Sequence, residues 1–345
     1  MNFLKIVLLP AVPVYAMIIW IRNYLFDKKI FKSKKVNAEI FSIGNITLGG
    51  SGKTPVTIYI TELLKMNGKK VGVLSRGYRR KSRGFVLVSD GNEILSTVEK
   101  SGDEMYHTVL DCKVPAAVCE NRVTGAEKLI TQTGADTLVL DDAFQHRWIY
   151  RDLDIVVIEQ RFLTDERFFI NSLFPAGTMR EPFTSLKRAD AIIINRKFTS
   201  KKNIPEKFSK YFSGKKIFNG FYQAVGFYDL KSSSHFGLNE FEGQKSLVVS
   251  GIARPFSFLN VLSQTKVDTE NKLIFRDHKH YTHKDIQLIR KAFYSTNSHS
   301  VVTTEKDAVK LSNFSKELDD IDIYFLKIKF KIDDEDSFKG FIFKA

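Results

Sequence analysis

Cysteine is almost missing from this chain, with only Cys112 and Cys119 in 345 residues. Their spacing fits no zinc site, and two thiols cannot make a disulfide framework, which suits a reducing compartment. Repeats and low-complexity tracts are missing too. Acidic residues are short, 39 Asp and Glu against 53 Lys and Arg, for a formal charge of +14. That balance favours an anionic partner: acidic lipid, nucleic acid or a phosphorylated substrate. Residues 6–21 carry no charge, but the run falls short of the ~20 residues of a bilayer span, and Pro10 and Pro13 disturb a helix there. No small-x-small cleavage site follows it, which argues against a secretory signal.

What remains is the composition of a globular protein, 43% hydrophobic and 27% charged, long enough for two cores. Residues 1–35 hold seven Lys or Arg against Asp27 alone, and Lys28, Lys29, Lys32, Lys34 and Lys35 directly follow the apolar run. This reads as a segment lying in the cytoplasmic face of a membrane with its lysines on anionic head groups. A core-packed helix and a single span are the other readings.

The central stretch is Gly44-Asn45-Ile46-Thr47-Leu48-Gly49-Gly50-Ser51-Gly52-Lys53-Thr54-Pro55, between an apolar run at 38–43 and a helix-like run at 54–66. Glycines between a strand and a helix let backbone N–H groups surround an anion, and the helix N-terminus adds partial positive charge. Lys53 can reach the outer phosphates of a nucleotide, and the Thr54 hydroxyl can hold Mg2+. Thr47 stands where the usual first glycine of G-x-x-x-x-G-K-[ST] belongs, so this is a variant phosphate loop.

Strand-like runs follow at 70–74, 84–88, 114–118, 137–140, 153–158 and 190–194, alternating with helix-like runs at 103–111 and 122–132. Alternation of this kind predicts a doubly wound α/β layer with a largely parallel sheet and ligands at the carboxyl ends of its strands. A polar stretch at 198–215 suggests a boundary, with an extended connection at 216–230. A second α/β unit is then expected, with strands near 246–250, 301–302 and 321–328 and helices near 255–263 and 281–293, the last capped by Thr282. The domains expected are 1–35, 36–215 and 216–345.

Asp141 and Asp142 end an apolar strand, where a phosphate-loop enzyme holds Mg2+ or a loop simply turns; which of the two would serve is not legible. Gly102-Asp103-Glu104, from its residues alone, is an ordinary helix N-terminus, and Arg180-Glu181-Pro182 a charged turn. Residues 75–84 pack five basic side chains that either clamp phosphate or sit in solvent. Tyr78 alone gives too little aromatic interleaving for single strands, so no nucleic-acid partner is expected. The spacing of His278, His280 and His283 lacks the paired-ligand pattern of zinc sites.

Taken together and in order, these motifs resemble the tetraacyldisaccharide 4′-kinase family of Gram-negative bacteria. The resemblance rests on residues 44–55, Ser75-Arg76-Gly77-Tyr78, Gly102-Asp103-Glu104, Asp141-Asp142-Ala143-Phe144-Gln145-His146, Met179-Arg180-Glu181-Pro182, Asp277-His278 with Tyr281, and residues 303–308. It implies a phosphate-loop three-layer α/β/α sandwich with a smaller second α/β domain on a β-ribbon linker. It implies transfer of the ATP γ-phosphate, with Mg2+, to the 4′-hydroxyl of a lipid A disaccharide 1-phosphate at the inner membrane, against anionic lipid. By the same likeness Asp103 is the general base and His278 supports it. Asn45, Thr47, Gly49, Gly50, Ser51, Gly52, Lys53, Thr54 and Arg180 would meet the nucleotide, and Thr54, Asp141, Asp142 and Glu181 the metal. Ala143, Arg79 and Met105 depart from the family pattern, where Gly, Gly and Pro are usual. The competing classes are a phosphate-loop switch or maturation NTPase and a non-enzymatic basic protein. No protein partner is read from the sequence.

Overall fold

A computed structural model describes residues 7–165, 172–252, 255–277 and 279–344. The chain forms two compact units, one of residues 1–221 with 331–345, the other of residues 222–330.

The first unit is built on a sheet whose strands are β1 (Glu39–Gly44), β2 (Val71–Ser75), β3 (Val86–Asp90), β4 (Pro115–Val118), β5 (Thr137–Asp141), β6 (Leu153–Glu159), β7 (Ala191–Asn195) and the start of β8 (Lys216–Asp229). Their order is β8-β7-β6-β1-β5-β2-β4-β3, parallel throughout except for β3 on β4. Strands β2, β5, β6 and β7 are buried along their whole length. Helices cover both faces, so these strands read as unbroken apolar runs instead of alternating ones. Leu138 and Leu140 of β5 share a core with Ala126 and Leu129 of the helix Arg122–Thr133. Val156, Ile158, Ile192 and Ile194 belong to another core with Phe208 and Phe212. The polar stretch at 198–215, expected to be a boundary, therefore supplies core residues.

β1 lies between β5 and β6, and the chain leaves its two sides in opposite directions. That is the topological switch point of an open α/β sheet, where ligands bind. The helix Lys53–Met66 follows, burying Val56, Ile60, Leu63 and Leu64.

The helix Ala11–Asp27 lies near the start of the described residues. Pro10 and Pro13 do not break it, contrary to expectation. Pro10 is the N-cap and Pro13 sits in the first turn, where a missing N–H loses no intrahelical bond. This helix buries only Ile19 and Phe26. Val14, Met17, Ile18 and Trp20 are exposed, Trp20 by 65%. Tyr15 donates to the Arg180 carbonyl (2.9 Å), and Asp27 accepts from Arg147 and Lys187 (2.8 Å each). No described helix is long and apolar enough to cross a membrane.

The second unit holds the rest of β8, with β9 (His235–Phe236), β10 (Ser246–Ser250), β11 (Lys272–Ile274), β12 (Ser300–Thr304) and most of β13 (Ile323–Ile332). β11, β10, β12 and β13 run parallel in that order. The helix His283–Ser295 buries Ile286, Ile289 and Phe293, and Thr282 caps it in a reciprocal capping box with Asp285. The long strands β8 and β13 carry the chain between units, the expected ribbon.

Residues 331–345 group with the first unit, whereas 216–345 were expected together. The cause is Phe338 of the helix Glu335–Ile342. It is fully buried, with its ring 4.9 Å from that of Phe218 and 6.0 Å from that of Tyr59.

Candidate active site

The loop after β1 is shaped by its glycines and by four polar anchors. Gly52 takes a left-handed φ of 89° at the N-cap of the helix Lys53–Met66, a conformation glycine adopts without steric cost. Pro55 falls in the first turn, where it is tolerated as Pro13 is. Asn45 is buried and donates to Ser51 Oγ (3.0 Å) and Thr47 Oγ1 (3.4 Å), while Gln145 holds the Asn45 carbonyl (2.8 Å). Asn195, at the end of β7, donates to the Ser51 carbonyl (3.2 Å). Lys197 donates to the Gly50 carbonyl (2.7 Å) and pairs with Glu159 (3.2 Å). Gly49 has open space around it.

Pairing of Ile43 with Asp141 in register brings the carboxyl end of β5 beside the loop. The two aspartates then separate in role. Asp141 is buried and accepts from Thr54 Oγ1 (3.3 Å), and its Oδ1 has no protein partner. Burial first, then the charge of Glu104, raises its carboxyl to about 6. Asp142 turns away with a φ of 54°. Its oxygens both accept from Arg180 (2.9 Å each), and Lys53 lies 3.4 Å away. Burial opposes ionisation of Asp142, but Lys53 and Arg180 outweigh it and hold the carboxyl below its ordinary value.

Glu181, expected in the metal set, faces basic and amide partners in this structure. It is fully buried, and its two oxygens are taken by Arg22 (3.1 Å), Asn23 (2.9 Å) and Arg188 (3.0 Å to Oε2). A carboxylate so engaged is a counter-ion for guanidinium groups. It ties the N-terminal helix to the turn after Arg180. Burial resists its charge, but Arg188, Asn23 and Arg22 together lower its carboxyl.

Asp103 opens the helix Asp103–Cys112 behind Gly102, whose φ is 82°. A Cβ on Gly102 would stand 2.8 Å from the Tyr78 carbonyl, so only glycine lets the turn at 77–78 pack against this helix start. Asp103 Oδ1 accepts from the Glu104 N–H (3.0 Å). Of the basic loop, Arg80 is structural, bonded to Glu120 (2.6 Å) and to the Gly84 carbonyl (2.6 Å), whereas Arg76 is exposed. Arg79 keeps a left-handed φ of 57°, which accounts for the family's glycine there. Arg122 is buried, and its N–H lies 3.4 Å from His146 Nε2. Burial, then Arg122 and other arginines, lowers His146 to about 4. His278 lies outside the described residues.

Reading the motifs alone left out Glu104, Gln145, Asn195 and Lys197 as site residues. Asn195 and Lys197 were findable: they follow an apolar parallel strand, as Asp141 does.

A glycine-rich loop at the switch point, a lysine and threonine opening its helix, and a buried aspartate on the neighbouring strand define a phosphate-loop nucleotide-binding enzyme. Residues 4–345 match the family described as LpxK, Tetraacyldisaccharide-1-P 4′-kinase. The chain belongs to this family of kinases with a hydroxyl acceptor. It is 36% identical over 331 residues to the tetraacyldisaccharide 4′-kinase of Phocaeicola vulgatus, covering 90% of this chain and 86% of that one. With the enzyme of that name from Chlorobium phaeovibrioides it shares 34% identity over 315 residues, 89% and 87% of the two chains. The crystal structure of "apo" form LpxK from Aquifex aeolicus in complex with ATP superposes with a TM-score of 0.80 at 29% identity, over 99% of each chain.

Proposed function

We propose that this enzyme transfers the γ-phosphoryl group of ATP to the 4′-hydroxyl of a lipid A disaccharide 1-phosphate, at the cytoplasmic face of the inner membrane. The observation that carries the reading is the convergence of Lys53, Thr54, Asp141 and Asp142 at the carboxyl ends of β1 and β5, in a chain of this family. Phosphoryl transfer depends on positioning and charge neutralisation. The loop N–H groups and Lys53 would neutralise the phosphates. Arg180, now paired with Asp142, holds a second cation beside Lys53. Residues Asn45, Thr47, Gly49, Gly50, Ser51 and Gly52 keep the loop in an anion-binding shape.

The residues present fit Mg2+. Asp141 offers a buried oxygen with no protein partner, next to the Thr54 hydroxyl, and Asp142 lies alongside. When bound, the ion would offset phosphate charge as it moves to the acceptor. Asp103 would take the proton from the sugar hydroxyl, supported by His278. The exposed Arg76 and the buried Arg122 offer positive charge to the acceptor's own phosphate.

The N-terminal helix would lie in the membrane interface. Seventeen residues rise about 25 Å, short of the hydrocarbon core. Its exposed Val14, Met17, Ile18 and Trp20 would enter the acyl boundary, and the exposed Lys28, Lys29 and Lys32 would meet anionic head groups.

The test is product formation by purified enzyme with ATP, Mg2+ and a lipid A disaccharide 1-phosphate. Asp103→Asn should cut kcat by about 10²–10⁴-fold and leave the KM for ATP little changed. Full turnover by that variant removes Asp103 from the base role. ATP consumption that is independent of the lipid acceptor would point to a switch NTPase instead.

A further inference from the structure

Along the helix Ala11–Asp27, Tyr15, Ile19, Arg22, Asn23 and Phe26 recur at helical spacing on the stripe opposite its exposed residues. Ile19 and Phe26 are buried. The three polar members of the stripe all reach one short segment, residues 180–181. The Tyr15 hydroxyl donates to the Arg180 carbonyl (2.9 Å), Arg22 to Glu181 Oε1 (3.1 Å) and Asn23 to Glu181 Oε2 (2.9 Å). The Tyr15 ring also packs edge-on against Phe174 at 5.5 Å, and the Phe174 N–H donates to the Met179 carbonyl (2.9 Å).

That same segment is the backbone partner of the phosphate loop. The Leu48 N–H donates to the Thr178 carbonyl (2.6 Å), Thr47 and Met179 form an antiparallel bridge, and the Arg180 N–H donates to the Ile46 carbonyl (2.7 Å). Ile46 and Met179 are buried in one core with Phe144. Arg180 thus has three arms: its carbonyl on the helix, its N–H on the loop and its guanidinium on Asp142 (2.9 Å). The end of β7 holds the second half of the loop, through the carbonyls of Gly50 and Ser51. The first half, residues 46–48, is held by residues 178–180, and these by the helix.

We propose that Tyr15, Arg22 and Asn23 are positioning residues for the phosphate donor: through residues 178–181 they fix the first half of the phosphate loop and the Arg180–Asp142 pair before nucleotide arrives. The proposal rests on the reading of this loop as the seat of ATP. A glycine-rich loop gains affinity for an anion when its backbone is already set, because ordering it on binding costs free energy. Each helix contact that holds residues 178–181 removes part of that cost, so losing one weakens nucleotide binding at a distance from any phosphate.

The experiment measures ATP affinity by equilibrium titration of the full-length enzyme, and hydrogen exchange at residues 46–49, in Tyr15→Phe, Asn23→Ala, Ile40→Val and Lys53→Ala. Tyr15→Phe keeps the ring on Phe174 and loses only the hydroxyl. Ile40→Val trims a buried side chain at the amino end of β1, the end away from the loop, and serves as the control for lost stability alone. Tyr15→Phe and Asn23→Ala should each weaken ATP binding about three- to tenfold, the share of one hydrogen bond, and quicken exchange at 46–49. Ile40→Val should do neither, even where its unfolding midpoint falls as far. ATP affinity within about twofold of the parent in Tyr15→Phe, or an equal loss in Ile40→Val, overturns the proposal. Undiminished ATP affinity in Lys53→Ala overturns the reading of the loop instead. In that case exchange decides, and unaltered protection at 46–49 in Tyr15→Phe overturns the positioning role as well.

Discussion

Replacing Glu181 with alanine separates the two roles a buried carboxylate can have in this site. Arg188 is almost fully buried against it and Arg22 is about one-third exposed. Removing the carboxylate leaves the Arg188 charge in a low-dielectric setting with its strongest partner gone. Breaking a buried pair in this way costs about 3–5 kcal/mol, most of it from Arg188, since the more exposed Arg22 is screened by solvent. For a unit of this size that loss lowers the unfolding midpoint by about 6–20 °C. Glu181→Gln keeps an acceptor and the side-chain volume and should cost less, about 1–3 kcal/mol. The helix Ala11–Asp27 loses its Arg22 and Asn23 contacts together, so it should also become the first site of limited proteolysis. Thermal unfolding and the Mg2+ dependence of ATP turnover are measured on the same samples. The reasoning is refuted if the midpoint moves by less than about 2 °C while the Mg2+ requirement rises tenfold or more, the pattern of a lost metal ligand.

The remaining predictions concern pH and the membrane. Because His146 sits near 4 in the folded chain, between about pH 6.5 and 4 the unfolded state binds a proton that the folded state does not. Stability should therefore fall as pH drops through that window, and His146→Gln should flatten the fall, read as unfolding midpoints at several pH values; parallel curves would refute it. Trp20→Glu with Ile18→Glu should lower binding to phosphatidylglycerol vesicles at least about tenfold, since each exposed apolar side chain contributes up to ~1.5–3 kcal/mol on burial. The same pair should leave the unfolding midpoint within about 2 °C; unaltered vesicle binding would remove the helix from the membrane.

The parts of the fold set by local pattern were legible. Apolar runs between glycines and caps located β1, β5, β6 and β7 within a residue or so, and Thr282 announced its helix. Asp141 and Asp142 could be seen as a pair at a strand end, but not told apart. Their difference comes from Thr54 on one side and Lys53 and Arg180 on the other, which only the register of β1 with β5 brings near. The contacts of Glu181 were not legible because its partners Arg22 and Asn23 lie far off in sequence, in a helix that Pro10 and Pro13 argued against. Pro10 and Pro13 mislead only when their place in the first turn is ignored. Glu104 was hidden by its neighbour: a helix start rich in acids is ordinary, and its influence on Asp141 is a matter of three-dimensional proximity.

Phe338 has one more effect, on the order of events at the ribosome. It is made after all of residues 222–330, yet it covers Phe218 and Tyr59, which were made long before. Those two rings must wait with one face uncovered through the synthesis of the whole intervening unit. That unit is contiguous in sequence and can finish folding first, even though its chain begins after the phosphate loop has emerged. The nucleotide-binding unit, started earliest, is completed last, and its uncovered aromatic edge is the stretch of nascent chain most in need of protection from aggregation.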